Sequence, residues 1–272
     1  MITLSGLYVY PVKSARGIAL QEATLTSRGL AHDRRFLVVD EAGVYLTQRE
    51  LPQLARLSTA FAGDALELTW EGLGVLHVPL VPTTTARRRV RVWNDDVEAL
   101  ELDSAAQDFL SRAFGRAVSL VYMPEDSTRA PSAFARAGDL IAFSDDFPYL
   151  IASESSLADL SVQAGQAIPM DRFRPNLVVQ GAAAYAEDIW RDVRIGGLRF
   201  EIVKPCARCV ITTTDQTSGE RVNKEPLATL ARYRLWRGQA IFAQNAIARD
   251  PGTLHVGCEV RVESLASSEE LG

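Results

Sequence analysis

Residues 193–214 of the 272-residue chain have the sequence VRIGGLRFEIVKPCARCVITTT. The strand-forming runs on either side of Gly196-Gly197 predict a β-hairpin, because paired glycines supply the positive φ angles of a tight turn. Cys206 and Cys209 follow the hairpin, and the β-branched run RCVITTT predicts one more strand. The stretch therefore predicts a β-rich fold that places two cysteines beside its strands.

The rest of the chain repeats this pattern of short strands broken by Gly, Pro or Asp. Turn signals at Gly63-Asp64 and at the Asn-Asp-Asp of residues 94–96 predict two further hairpins. Helical patterns are fewer, at residues 104–115, 155–165 and 225–234. The predicted fold class is mainly β with some helices (α+β), with a barrel-like architecture.

The composition excludes several classes of protein. A formal net charge of −5 argues against a nucleic-acid partner, and the basic run Arg87–Arg89 is typical of a solvated strand edge. No run approaches the ~18 apolar residues of a membrane span, so no membrane contact is expected. Three cysteines, an odd number, and an N-terminus without a signal-peptide pattern predict a cytoplasmic protein.

Cys206 and Cys209 allow four interpretations. A redox pair of the thioredoxin type needs a helix N-terminus, which the β-branched run after Cys209 disfavours. A zinc site needs four ligands, and His255 and Cys258 could supply the other two. The cysteines could also be small buried side chains. Finally, Cys209 could be a single thiolate that holds a redox metal together with an organic cofactor. The spacing leaves these alternatives open.

An ordered set of short motifs resembles one protein family. In chain order the motifs are YPVKS (10–14), DRRF (33–36), FRPNLVV (173–179), CARCVITTTD (206–215), KEP (224–226) and DPGTLHVG (250–257). This set is similar to the MOSC family (molybdenum-cofactor sulfurase C-terminal domain), in the group of bacterial YcbX and the mitochondrial amidoxime-reducing component. The resemblance implies an N-terminal MOSC β-barrel-like domain over residues 1–122 and a MOSC β-barrel domain over residues 123–268.

The resemblance also implies a set of site residues. The second cysteine of the family motif ligates molybdenum, which makes Cys209 the expected metal ligand and catalytic residue of a molybdenum cofactor in its molybdopterin form. Arg208 and the cations of the pterin site are expected to favour the thiolate at Cys209, and Cys206 is expected to pack or to position the backbone. The positions that match cofactor contacts of the family are Lys13, Ser14, Arg34, Arg174, Asn176, Ala207 and Arg208.

The activity implied by the resemblance is that of a molybdenum-dependent oxidoreductase. It would reduce small N-hydroxylated substrates with electrons from separate flavin or iron–sulfur proteins, and a family-level association with pyridoxal phosphate binding is also expected. Two alternatives remain: a molybdenum-cofactor carrier or sulfur-transfer accessory without turnover, and a zinc-stabilised non-enzymatic β-barrel.

This chain departs from the family at several positions. Asp146 and Phe147 stand where eukaryotic members carry small hydroxyl residues, and Ala183 replaces an acidic residue of some relatives. No general acid is therefore assigned. No cysteine follows Cys258, so no iron–sulfur domain is expected within the chain.

Overall fold

The computed structural model of the chain describes residues 1–132 and 134–267. The fold is mainly β with three α-helices, which confirms the predicted fold class. The strands are β1 (Ile2–Val9), β2 (Ile18–Leu20), β3 (Glu22–Thr26), β4 (Gly29–Leu30), β5 (Phe36–Val39), β6 (Ser58–Ala62), β7 (Ala65–Trp70), β8 (Gly74–Pro79), β9 (Arg87–Val92), β10 (Asp95–Glu101), β11 (Ser119–Tyr122), β12 (Tyr149–Ser153), β13 (Leu177–Gln180), β14 (Trp190–Ile195), β15 (Leu198–Ala207), β16 (Leu235–Trp236), β17 (Gln239–Ala248), β18 (Gly252–His255) and β19 (Glu259–Leu265). The helices are α1 (Ser104–Phe114), α2 (Glu154–Ala164) and α3 (Leu227–Tyr233), and short 3-10 turns span Pro52–Arg56, Met170–Arg172, Ala186–Ile189 and Val210–Thr213.

Seven strands close into a barrel. They pair in the order β12-β13-β1-β19-β14-β15-β17, and β17 pairs back with β12. Neighbours are antiparallel except β12 and β13, whose parallel pairing is made possible by the α2 crossover between them. Side chains such as Leu4, Tyr149 and Phe200, each at most 1% exposed, fill the interior. Closure pairs both edges of each of these strands, which removes the edges that would otherwise invite association.

The N-terminal part of the chain builds two smaller sheets around a second core. One sheet has the order β5-β11-β10-β9, and the other has the order β6-β7-β8. Phe36, Leu54 and Leu110 are fully buried between these sheets and α1. The hairpin predicted at Gly63-Asp64 joins β6 to β7, and the one predicted near residue 94 joins β9 to β10.

The first strand does not stay with the N-terminal sheets. β1 pairs with β13 and β19 of the barrel, and β3 pairs with β18. The division of the chain at residue 122 stays a prediction, and its last residue, 268, lies outside the described residues. Because β1 lies in the barrel, the loop that follows it reaches both parts of the molecule.

Local signals in the sequence set the turns and helix ends. Gly196 and Gly197 have φ angles of 58° and 84°, and they join β14 to β15 in the predicted hairpin. The Asp103 carboxylate accepts a hydrogen bond from the N–H of Ala106 at 3.1 Å and caps α1. Gly115, with φ 66°, ends this helix in the left-handed conformation.

The strand predicted after Cys209 is wrong. β15 ends at Ala207, and Val210–Thr213 form a 3-10 turn. The hydroxyls of Thr212 and Thr213 donate to the carbonyl oxygens three residues before them, at 2.9 and 2.8 Å. These local bonds replace the ladder bonds of a strand, and β-branched composition alone does not reveal them. Cys209 consequently lies just beyond a strand end and not inside a sheet.

A buried carboxyl group lies where the turn Ala186–Ile189 packs near α2. Glu187 is 1% exposed, and the Ser156 hydroxyl lies 2.7 and 2.9 Å from its two oxygens. The same hydroxyl oxygen accepts a hydrogen bond from the N–H of Tyr185 at 2.8 Å. Burial raises the pKa of Glu187 to about 7, although the hydrogen bond from Ser156 acts in the opposite direction.

The contribution of Glu187 to the stability of the protein should therefore fall as pH rises from about 4.5 to 7. The folded chain keeps the Glu187 proton to about pH 7, whereas the unfolded chain loses it near pH 4.5, so the folded state binds more protons in this window. The loss amounts to about 3 kcal/mol in the free energy of unfolding. In urea unfolding measured across this pH range, the free energy of unfolding of Glu187→Gln should rise by that amount relative to that of the wild type.

Glu154→Gln is the matched control, because Glu154 is an exposed carboxylate on α2. Its unfolding free energy should follow the wild-type pH profile. A Glu187→Gln profile parallel to that of the wild type would contradict the assignment.

Candidate functional site

A cleft of about 650 Å³ opens between the barrel and the β9–β10 hairpin. Its volume lies within the range of small-molecule and cofactor sites. The structure brings all the residues predicted from the sequence to the walls of this cleft: Lys13, Ser14, Arg34, Arg174, Asn176, Ala207, Arg208 and Cys209. Their roles stay predictions, but their convergence from four separate segments does not follow from any local pattern.

Each predicted residue lies at or just beyond the end of a strand. Lys13 and Ser14 follow β1, Arg34 precedes β5, and Arg174 precedes β13. Ser14, Arg34 and Arg174 have φ angles of 69°, 48° and 57°, in the left-handed region that side chains other than glycine rarely adopt. Such strain persists only where the surrounding structure enforces it, and it concentrates at functional sites.

Lys13 is the buried cation at one end of the cleft. Its ammonium donates to the carbonyl of Phe143 at 2.6 Å and forms an ion pair with Asp145. Burial lowers the pKa of Lys13 to about 8, although Asp145 acts to raise it. Burial also opposes ionisation of Asp145, but the charges of Lys13 and Arg49 outweigh it and hold the pKa of that carboxyl below its ordinary value. Both groups are therefore charged at neutral pH.

Two guanidinium groups share the ring of Tyr10. The Cζ atoms of Arg34 and Arg174 lie 4.6 and 4.3 Å from its centroid. Arg34 donates to Asp33 at 2.6 Å, and Arg174 donates to the carbonyl of Ala15 at 2.7 Å. Burial lowers the pKa of Arg174 to about 10, which leaves it charged at neutral pH. The pair forms a fixed positive wall.

Asn176 acts within this wall through hydrogen bonds to the protein itself. Its Oδ1 accepts from Arg34 at 3.1 Å and from the N–H of Leu150 at 3.3 Å, and its Nδ2 donates to the carbonyl of Tyr8 at 3.2 Å. The side chain is 1% exposed. Its observed contribution is to orient Arg34.

The cation beside Cys209 is not the one expected. Arg208 donates to the sulfur of Cys206 and to the carbonyl of Phe173, both at 2.9 Å. Arg49 instead interacts with Cys209: burial lowers the pKa of Arg49, but its interactions with Asp145, Cys209 and Tyr45 more than compensate and raise it overall. The expectation that Arg208 balances Cys209 is therefore corrected, because adjacent side chains of an extended strand end point to opposite sides.

Sequence reasoning missed several residues of the cleft. Arg49 comes from the loop before the turn Pro52–Arg56, Trp93 comes from the β9–β10 hairpin, and Arg129 and Asp145 come from the connection between β11 and β12. Arg129 donates to Asp95 at 2.8 Å and to the carbonyl of Ala142 at 3.3 Å. None of these segments carries a periodic signal. The Asn-Asp-Asp turn signal next to Trp93 is the one sequence feature at these positions that indicates a loop.

The cleft has a surplus of positive charge. Among the described lining residues, six are cationic and three are carboxylates: Lys13, Arg34, Arg49, Arg129, Arg174 and Arg208 against Asp95, Asp145 and Asp146. Nη1 of Arg49, Nη2 of Arg174 and Nε of Arg208 are buried with no hydrogen-bond partner in the described part of the chain. A buried donor without a partner costs about 1–3 kcal/mol. The residues present therefore fit an anionic ligand rich in acceptors, such as a phosphate-bearing pterin.

The four residues of the zinc hypothesis do not come together. Cys258 packs against the barrel core, and His255 on β18 lies 3.5 Å from Glu22. Across residues 1–132 and 134–267 no group of three or more His, Cys, Asp or Glu side chains could hold a metal ion. Zinc stabilisation by these four residues is therefore wrong, because spacing along the chain does not bring distant strands together.

The departures from the family have local partners. Asp146 forms an ion pair with Lys204, whose ammonium lies 5.5 Å from the ring centroid of Phe147. Phe147 is 5% exposed. These two residues therefore build a charged and aromatic corner of the cleft in place of small hydroxyl groups.

The ammonium of Lys13 should titrate near pH 8. The chain has three lysines, so ¹³C-lysine NMR can follow Lys13 separately and Lys13→Arg can assign its signal. Asp145→Asn should lower the Lys13 pKa further, because the carboxylate raises it. Between about pH 8 and 10.5 the unfolded chain keeps the Lys13 proton that the folded chain has lost. The contribution of this group to stability therefore rises with pH in this range.

Asp146→Asn is the matched control for this titration, since Asp146 pairs with Lys204. It should leave the Lys13 titration unchanged. A Lys13 signal that titrates above pH 10 in the wild type would disprove the burial effect.

This chain is similar to several curated proteins, and the similarity covers most of their length. Mitochondrial amidoxime-reducing component 1 of Homo sapiens is 36% identical over 273 residues, which cover 94% of this chain and 81% of the relative. The protein of the same name from Xenopus laevis is 32% identical and is covered to 80%, with 93% of this chain aligned. Mitochondrial amidoxime reducing component 2 of Bos taurus is 35% identical over 86% of this chain and 72% of its own length.

The cytoplasmic localisation expected from the sequence is wrong on this comparison. The relatives are named mitochondrial components, which points to mitochondria. Unpaired cysteines indicate a reducing compartment, but they do not distinguish one reducing compartment from another. None of the helices in the described residues combines the length and apolarity needed to cross a membrane. The expected association with pyridoxal phosphate finds no support in these relatives.

Two domain models account for most of the chain. Residues 1–117 match the MOSC N-terminal beta barrel domain, and residues 139–261 match the MOSC domain. The curated relatives align across both regions at 30% identity or more. The chain therefore belongs to the MOSC-domain family that includes the mitochondrial amidoxime-reducing components.

Proposed function

We propose that this protein is a molybdenum-cofactor-dependent oxidoreductase that reduces N-hydroxylated compounds. The observation that carries the proposal is the cleft itself, where the free thiol of Cys209 lies among cations that have unpartnered buried donors. A thiolate is the kind of soft ligand that redox metals take. The names of the relatives support amidoximes as a substrate class.

The residues present suggest how a molybdopterin cofactor would be held. Cys209 would supply the protein ligand to molybdenum. Lys13 and Ser14 suit the phosphate, while the planar guanidinium groups of Arg174 and Arg208 suit the acceptors of the pterin. When bound, the cofactor supplies the two-electron reduction of N–OH to N–H, with two protons consumed and water released.

The protein's own groups would prepare this chemistry by fixing charge and excluding water. Arg49 holds a positive charge that interacts with Cys209. Asp145 holds two of the cations in place, because it pairs with Lys13 and its carboxylate lies 3.6 Å from the guanidinium of Arg49. In a cleft with buried walls these interactions are stronger than in water.

Electrons would come from separate flavin or iron–sulfur proteins. The cofactor cleft is open to the surface at Trp93, whose side chain is 45% exposed. A donor protein could therefore approach the cleft from outside.

A carrier of the molybdenum cofactor is the alternative function, because the same cleft would bind the pterin without turnover. Protein loaded with cofactor should be given a chemical reductant and benzamidoxime. Formation of benzamidine at catalytic rates supports the reductase. Bound cofactor without product would favour the carrier.

Cys209→Ser should abolish reduction of benzamidoxime while leaving the melting temperature nearly unchanged. An alkoxide is a harder and more basic ligand than a thiolate, whereas the cleft walls do not depend on this side chain. Pterin content, measured by fluorescence after release, should persist in part, since the other contacts remain.

Cys206→Ser is the matched control. A serine hydroxyl can still accept the hydrogen bond that Arg208 donates to Cys206, so activity should fall only mildly. Equal losses of activity in the two variants would contradict the assignment of Cys209 as the ligand.

A further inference from the structure

Trp93 has a backbone conformation that bulky side chains rarely adopt. It is the first residue of the two-residue loop between β9 and β10, where Val92 pairs with Asp95. Its φ angle is 56°, and Asn94 is not among the residues with positive φ. A two-residue hairpin with positive φ only at its first position is the pattern of a II′ turn, which favours glycine there. A bulky side chain in this conformation is a true outlier.

The strained turn presents the indole to the cleft. The side chain is 45% exposed and lines the cleft wall. The Cζ atom of Arg49 lies 4.6 Å from the ring, Tyr45 packs at a tilt with its ring centroid 5.7 Å away, and the indole N–H donates to Asp145 at 3.4 Å. These three contacts fix the orientation of an aromatic ring that remains accessible.

A single side chain, that of Arg49, connects the indole of Trp93 with Cys209. Arg49 contacts the ring of Trp93 and also interacts with Cys209. A small molecule whose N–OH group is reduced at a metal held by Cys209 would therefore have the rest of its structure within reach of Arg49 and the indole. The exposed ring offers the interactions that a planar conjugated group makes best, offset stacking or an edge-to-face contact.

Resting on the proposed function, we propose that Trp93 determines substrate specificity by stacking against the planar conjugated part of aromatic N-hydroxylated substrates. Backbone strain at a position suited to glycine persists only where the surrounding structure compensates for it, and such positions concentrate at functional sites. The ring is also held rigidly. A ring held by Arg49, Tyr45 and Asp145 loses little conformational freedom when a substrate stacks on it.

The test compares two amidoximes that differ only in the group that would stack. Benzamidoxime carries a phenyl ring, and acetamidoxime carries a methyl group on the same N-hydroxyamidine head. Steady-state kcat/KM for both is measured on the cofactor-loaded wild type, on Trp93→Gly and on Trp93→Phe. The ratio of benzamidoxime to acetamidoxime should fall about tenfold in Trp93→Gly, mainly through KM, as loss of one aromatic contact predicts. Trp93→Phe keeps an aromatic ring and should retain most of the ratio.

Two further measurements separate this role from others. The melting temperature of Trp93→Gly should stay close to that of the wild type, because relief of the strain at positive φ offsets the loss of the ring's contacts with Arg49, Tyr45 and Asp145. Molybdenum and pterin content should match the wild type. A large fall in melting temperature, or loss of cofactor, would overturn the proposal by making Trp93 a structural or a cofactor-binding residue.

Failure of the inference differs from failure of the proposed function. If the wild type reduces neither amidoxime, the proposed function is wrong and the inference falls with it. If the wild type reduces both and the ratio is unchanged in Trp93→Gly, the reductase assignment stands and the specificity role of Trp93 is refuted.

Discussion

Antiparallel pairing of β1 with β13 on one side and with β19 on the other closes the barrel. The strand that comes first in the chain thus lies between two strands from its second half. Its C-terminal end points at the cleft, so the loop with Lys13 and Ser14 meets the loop with Cys209. Without this pairing, Lys13 and Cys209 would belong to separate parts of the molecule.

Buried positive charge is the second constraint on the design of the site. Two of the cations are held by backbone carbonyls, Arg174 by that of Ala15 and Arg208 by that of Phe173. A carbonyl stabilises a cation through its dipole without cancelling the charge, whereas a carboxylate would neutralise it. The cleft consequently keeps a positive field and donors without partners, which suits an anionic ligand better than water alone.

Strain and function coincide around the cleft. Four cleft residues, Ser14, Arg34, Trp93 and Arg174, have positive φ, out of eight such non-glycine residues in the described part of the chain. Glycine would relieve the backbone at each position but would remove the charge, the hydroxyl or the ring that reaches the cleft. The fold tolerates this cost because paired strands on both sides fix the loop ends.

Hairpins, helix caps and the β-rich class follow from the sequence alone, because Gly196-Gly197, Asp103 and Gly115 act on neighbours within a few residues. The motifs carried by resemblance likewise identify residues that the structure gathers in one cleft, from Lys13 to Cys209. Only the tertiary structure decides that Arg49, and not Arg208, lies beside Cys209, and that His255 and Cys258 lie elsewhere. The positions of Arg49, His255 and Cys258 depend on contacts between residues far apart in the chain, which leave no trace in local composition. The threonines after Cys209 form a turn for a local reason, since their hydroxyls donate to backbone carbonyls three residues before them, and β-branched composition alone does not reveal these bonds.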